Sequence, residues 1–525
     1  MIGKAAAAAA LVLAGIVGST APAQAAAVSA GGATAQLVAK LYTEALGRLP
    51  DAGGWAAHTA AFAQSGCSSG SVAGAVRAFY LSPEFLGLPY SSQARVLALY
   101  RGALNREPDD GGLDAHSGRL DSGAATWPQI VDAFVGSSEF AELTSSICGP
   151  GTGYQFGTRP AATPRPKGSG FQGGTGAELQ AVLDSAPPGA TVVLAQMAVV
   201  RLDETLVVPA GKTLATEGLP AAREYADQGR LVRAGSFGAP MVRLEGGARL
   251  RNVWVDGQRG SAENYHLEAI NVQVMGGDGG AVTGSKLSNS RGWSTLQAFG
   301  SFEGLPCRSL TIADNVVTAY SSENVRRPGE QGRWTDGLSV SCEGATVRGN
   351  GVVDATDVGI VIFRASPAVQ RSVVRDNVVL SAGNSAFGAI GVDGLYDRAT
   401  VHDFSGTSIT HNAFWSGPDT HFEIGIAVGT RPWFGDRGDT GTGASVTDNT
   451  TSGQTAVVGT GIAVSGMNRA RVQGNDLRLA VRAVSACPHL NFGVDADGHA
   501  EGGDFQPGAT PAHFTSAGGG GCISG

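Results

Sequence analysis

Six asparagines return at one place in a repeated sentence between about Leu310 and Val484, and that recurrence leaves few folds open to the chain. The stretches LTIADNVV, ATVRGNGV, SVVRDNVV, TSITHNAF, ASVTDNTT and ARVQGNDL carry Asn315, Asn350, Asn377, Asn412, Asn449 and Asn475, spaced 35, 27, 35, 37 and 26 residues apart. Between them fall short apolar strands centred on glycine, among them DGLSVS at 336–341, DVGIVIF at 357–363 and EIGIAVG at 423–429. Self-similarity at this period, with no helical pattern between the strands, marks a stacked solenoid. Each turn is too thin to bury its own apolar face, so it must lie on the next. Asparagine suits a tight inward corner with a left-handed backbone, and stacked amide side chains can hydrogen-bond from coil to coil.

With these marks the chain resembles the right-handed parallel β-helix, pectate-lyase-like superfamily, from about 170 to 525. The expected fold is mainly β: a right-handed parallel β-helix over 176–525, preceded by a small α-helical domain. An amphipathic segment with Leu179, Val182 and Leu183 opens the solenoid and is expected to cap its first coil, covering bare strand edges. Glycine at 79 of 525 residues and only 16% charged residues suit a turn-rich solenoid better than a helical enzyme. A net charge of −8 argues against nucleic-acid or anionic-membrane partners.

Residues 1–25 read as a secretory signal: Lys4, an apolar run, then small residues at Ala23 and Ala25. No other run is long and apolar enough to span a bilayer, so the expectation is a secreted, extracellular protein. Export permits disulfides. Six cysteines allow 15 connectivities, and position favours Cys67 with Cys148, Cys307 with Cys342, and Cys487 with Cys522.

Residues 35–148 differ in kind. LYTEALGRLPDAGGWAAH at 41–58 returns as LYRGALNREPDDGGLDAH at 99–116, with helical apolar spacing and a helix-breaking Pro-Asp-x-Gly-Gly. The pair resembles a helical repeat of unknown function in secreted and surface bacterial proteins, distantly similar to phycobilisome linker repeats. That resemblance implies attachment, here to a cell surface. His58 and His116 return in register; one histidine per repeat is read as packing rather than metal ligation. The Gly- and Pro-rich 149–175 reads as a linker.

Chemistry is expected along one column of the solenoid. Aligning TDG at 335–337 with TDVG at 356–359, an offset of 21, stacks Asp336 and Asp357 about 5 Å apart, one strand spacing. The same register continues to Ala386 and then Glu423, about 10 Å beyond Asp357. Paired carboxylates divide acid and base roles because each raises the other's pKa. Trp334, Trp415, Trp433 and Phe434 are read as loop aromatics that could stack on sugars. Arg326, Arg327, Arg333, Arg364 and Arg431 could pair with uronates, and His421 shares a strand face with Glu423.

TDG at 335–337 with Asp354 and Asp357 is similar to motifs of polygalacturonase-like hydrolases, although the adjacent Asp-Asp, Gly-His-Gly and Arg-Ile-Lys motifs are missing. Similarity to calcium-dependent pectate lyases implies another role, with Asp336, Asp354 and Asp357 as calcium ligands and Arg364 as base. Asp495, Asp497 and Asp504 echo a calcium loop. The catalytic candidates are thus Asp336, Asp357, Glu423, Asp354 and Arg364. The expected partner is a linear polysaccharide, with no dedicated metal and calcium as the one cofactor open. The rival reading is a non-catalytic glycan-binding or adhesive surface protein.

Overall fold

The computed structural model describes residues 30–149, 164–219, 225–259, 265–298, 305–318, 334–364, 370–392, 402–434, 441–481, 491–496, 498–506 and 508–511. The signal segment, Arg326, Arg327, Arg333, Asp497, Cys487 and Cys522 lie outside them.

Three long sheets of 9, 12 and 11 strands run the length of the solenoid, and the ladders within them are parallel. One coil contributes one strand to each: Thr346–Arg348, Gly351–Val353 and Val358–Ile362 pair onward with Val373–Arg375, Val378–Ser381 and Ala386–Val392. This is a parallel β-helix. Its interior is a stack of aliphatic side chains, among them Leu338, Ile360, Ile390 and Ile426, closed at the first coil by the helix Gly176–Ser185. Thr175 and Glu178 cap that helix reciprocally, and Leu179 and Leu183 face the core.

The asparagines form the expected ladder. The side-chain Nδ2 of Asn315, Asn350, Asn377, Asn412 and Asn449 each donates to the Oδ1 of the next, at 2.8–3.0 Å. The left-handed residue of the corner is not the asparagine, however, but the one before it: Asp314, Gly349, Asp376, His411, Asp448 and Gly474 have φ between 54° and 67°. Short polar residues and glycine take that strain, which frees asparagine to bridge coils. Asn377→Ala would strand the amide groups of Asn350 and the carbonyl of Val347 in the interior. The expected loss is about 2–4 kcal/mol, from more than one buried unsatisfied group, read as a lowered midpoint in denaturant unfolding.

The N-terminal unit is a double helical repeat. Asp51 and Asp109 cap equivalent helices by accepting from the amides of Gly54 and Gly112. Arg48 forks onto Glu84, and Arg106 pairs with Glu139 in the same way. His58 lies against Tyr42 and Phe79, and His116 against Tyr100 and Phe134, so both are packed rings with burial lowering their pKa.

This unit is docked along the 9-stranded sheet. Its core is continuous with Val316, Val353, Leu380, Ala413 and Trp415 of the solenoid. Nor does the linker extend to 175: Phe171 bonds to Val193 and Ala195, and Gly174–Thr175 pairs with Val200 and Arg201, so the solenoid begins before 176.

Cys67–Cys148 and Cys307–Cys342 are bonded as position suggested. The second joins neighbouring coils across a separation of 35 residues. Replacing both Cys307 and Cys342 with Ala is expected to remove about 4 kcal/mol on the loop-entropy relation, measured as the unfolding midpoint with and without reductant.

Candidate active site

Asp336 and Asp357 meet because the strand register slips between them. Leu338 pairs with Ile360, an offset of 22, whereas the Thr335 amide donates to Thr356 Oγ1 at the offset of 21 that the sequence suggests. The amides of Thr356 and Asp357 both point to the Thr335 carbonyl. Asp357 is therefore the extra residue of a β-bulge, a device that re-aims a side chain. As a result the Val358 amide, not a group of Asp357, faces Asp336 and donates to its Oδ1 at 2.9 Å. Ser339 Oγ donates to Asp336 Oδ2 at 2.7 Å and shares a second hydrogen bond with Ser294.

Asp336 is 3% exposed, while Asp357 is half-buried. Burial, and next the negative charge of Asp357, push the Asp336 carboxyl well above the usual carboxylate range, outweighing its hydrogen bonds. The pair thus holds a neutral acid beside a second carboxylate.

The bulge shifts the rest of the column. The position after Asp357 is Phe387, not Ala386: the Phe387 and Gly388 amides both donate to the Asp357 carbonyl, and Phe387 lies level with Glu423 between the pairs Ala386–Phe422 and Gly388–Ile424. Trp334 meets Phe387 edge to face at 4.4 Å. Glu423 is buried two strand spacings from Asp357, about 10 Å. His421 Nδ1 hydrogen-bonds Ser385 Oγ at 2.9 Å.

Two neighbours gave no signal in sequence. Arg259, from the loop before Val272–Met275, donates to Thr335 Oγ1 at 3.0 Å and lies over the Tyr265 ring. Tyr265 is close enough to Asp336 and Asp357 for both to raise its pKa, after burial. Trp293 packs on Val358 and Phe363 at the outer face of the sheet. A lone Arg in Gly-Gln-Arg-Gly reads as a turn; only the fold brings it two strands along.

Other candidates stand apart. Asp354 lies under the helical unit, where its carboxylate accepts from the amides of Ala382, Gly383 and Asn384 and from Gln36, and burial raises its pKa to about 6. It is a structural anchor and not a partner of Asp336. Trp415 is a strand residue in Ala413–Ser416, buried against the helical unit rather than exposed in a loop. Arg364 is buried and donates to Thr430. Arg431 and Trp433 fall in the short helix Arg431–Phe434. Asp495 is buried in a strand of the 12-stranded sheet, whereas Asp504 is exposed in the 11-stranded sheet and accepts from Gln473, so they form no loop. Among the described residues no group of three or more His, Cys, Asp or Glu is arranged to hold a metal, and no helix is long and apolar enough to cross a membrane.

Residues 76–144 match the family DUF4214, described as a domain of unknown function. No curated protein matches the sequence. Among solved structures, the chain is similar to the endo-xylogalacturonan hydrolase from Aspergillus tubingensis at 14% identity, covering 64% of this chain and 95% of that one with a TM-score of 0.42. It is similar also to an alginate lyase from Paenibacillus sp. str. FPU-7 at 12% identity, over 64% of this chain and 95% of that one, with a TM-score of 0.38.

Proposed function

We propose that this is a secreted carbohydrate-active protein that hydrolyses a linear glycan, with uronic acids among its units, along the outer face of the 12-stranded sheet. The observation that carries the reading is the bulge-made carboxyl pair, with Asp336 kept protonated beside Asp357. Asp336 gives its proton to the glycosidic oxygen as the C1–O bond breaks, and Asp357 attacks C1 or activates water. Adjacent strands stand about 4.8 Å apart, nearer the roughly 5–5.5 Å of retaining enzymes than the wider inverting gap. Glu423, two spacings away, lies past that gap. Trp334 and Phe387 supply an apolar wall for a sugar ring, and His421 is near enough along the strand to meet a uronate.

Elimination is the weaker chemistry here, because Arg364 is buried and engaged with Thr430 instead of open as a base. A second reading, binding without cleavage, is favoured by the fact that both Asp336 oxygens are already bonded within the chain. Attachment to a cell surface would then fall to the outward faces of the helical repeats.

The test is incubation of the purified protein, with and without calcium, on neutral, uronic and bacterial polysaccharides. New reducing ends without ultraviolet absorbance are the expected result. Absorbance that requires calcium would mean β-elimination, and glycan retention with no product would mean binding alone.

A further inference from the structure

The helical repeats meet the solenoid through charged as well as apolar groups. Glu44 takes the ammonium of Lys286 at 2.7 Å. Glu107 forks onto Arg101 and reaches Arg230 at 3.1 Å, and Arg230 also pairs with Asp256. Trp254 of the solenoid lies among Arg101, Arg230 and Lys286, each within 4.1–4.4 Å of its ring. Farther along the same sheet the contact is steric. A methyl group on Gly351 would fall 2.2 Å from Leu49, and one on Gly383 would strike Gln36. The two repeats use one position differently: Leu49 in the first corresponds to Glu107 in the second, 58 residues on.

A surface built this way is matched to one occupant. Its glycine clearances, its ion pairs and its anchoring of Asp354 through Gln36 all require the flat flank of stacked strands. We propose that the inner face of the paired repeats is a binding surface for the flank of a parallel β-helix, and that in this chain the occupant is its own solenoid. The proposal does not rest on the glycan reading.

The cluster also has a proton bookkeeping of its own. Lys40, Arg101, Arg230 and Lys286 face Glu44, Glu107 and Asp256, four cations against three anions. Burial, with Lys286 and Arg101 also opposing its charge, lowers Lys40 to about 7 despite Glu44 and Glu107. Since the docked value lies below the free one of 10.5, docking strengthens as pH rises between about 7 and 10.5. Lys286 is lowered too and acts in the same direction.

The experiment places a protease site within 150–163 of the full chain, cuts it, and follows the halves by gel filtration on dilution at pH 7, 8 and 9. The halves are expected to travel as a 1:1 complex that tightens about tenfold from pH 8 to 9, and Lys40→Met should flatten that slope. In the uncut protein, amide exchange of Ala30–Ala45 should slow together with that of Val378–Ser381. Halves that part at pH 8 while each keeps its circular dichroism, or a helix that exchanges independently in the uncut chain, would overturn the proposal. An unchanged slope in Lys40→Met would overturn the role of Lys40.

Discussion

Asp336→Asn is expected to lower glycan cleavage by about 10²–10⁴-fold, the range for removing a general acid, while raising the melting temperature by a few degrees. The two effects have one cause. The folded pKa of Asp336 lies above its ordinary value of 3.8, so the native state holds the proton more tightly than the unfolded chain. Stability from this group is therefore present at low pH and is lost as pH rises through the folded pKa. Asparagine copies the neutral acid: its carbonyl can accept from the Val358 amide and its NH₂ can donate to Ser339 Oγ. It has no proton to give to a leaving group. Wild-type cleavage should likewise decline on the alkaline side as Asp336 ionises. An Asp336→Asn protein that cleaves normally would sink the assignment, and one that loses both activity and stability would make Asp336 a structural residue.

Glu107→Gln should cost about 3–5 kcal/mol, the usual penalty for removing one partner from a buried ion pair. Arg101 and Arg230 would be left facing each other and Lys286 around Trp254. Their combined charge holds the Glu107 carboxyl at about 2 against a burial effect that opposes it. Because the folded value is depressed, this stability is present above the unfolded value of 4.5 and is lost as pH falls toward 2. Chemical unfolding at pH 7 and pH 3 checks both statements: the gap between wild type and Glu107→Gln should be wide at pH 7 and narrow at pH 3. Simultaneous replacement of Glu107, Arg101 and Arg230 by apolar residues of similar size should recover much of the loss.

The period of the asparagines made the stacked coils legible, since a repeated amide has few other uses, and the twin Pro-Asp-x-Gly-Gly segments announced the double helical unit. Three-sidedness hid the rest. A short strand pattern tells inside from outside but not which of three sheets a residue joins, so Asp354 looked like a companion of Asp357 although it turns toward the helical unit. One inserted residue at Asp357 moved the column from Ala386 to Phe387. Arg259 and Tyr265 could not be found by spacing, because loops from earlier coils reach the acids only through stacking. The Gly- and Pro-rich stretch suggested independent units, and nothing in its composition reports the face that Gln36 and Leu49 cover.

The helix Ala30–Ala45 has a consequence for how such proteins change over generations. A solenoid ordinarily gains or loses a repeat at little cost, since each coil touches only its neighbours. Here a helix of fixed rise, about 1.5 Å per residue, touches Lys286 through Glu44, Asp354 through Gln36, and Gly417 through Ala35. The strands on which those contacts fall are consecutive, about 4.8 Å apart. Duplicating or deleting a coil between Lys286 and Gly417 would put every later contact out of step. The helix acts as a gauge of coil number, and descendants of this protein can lengthen or shorten their glycan face only outside the interval it measures.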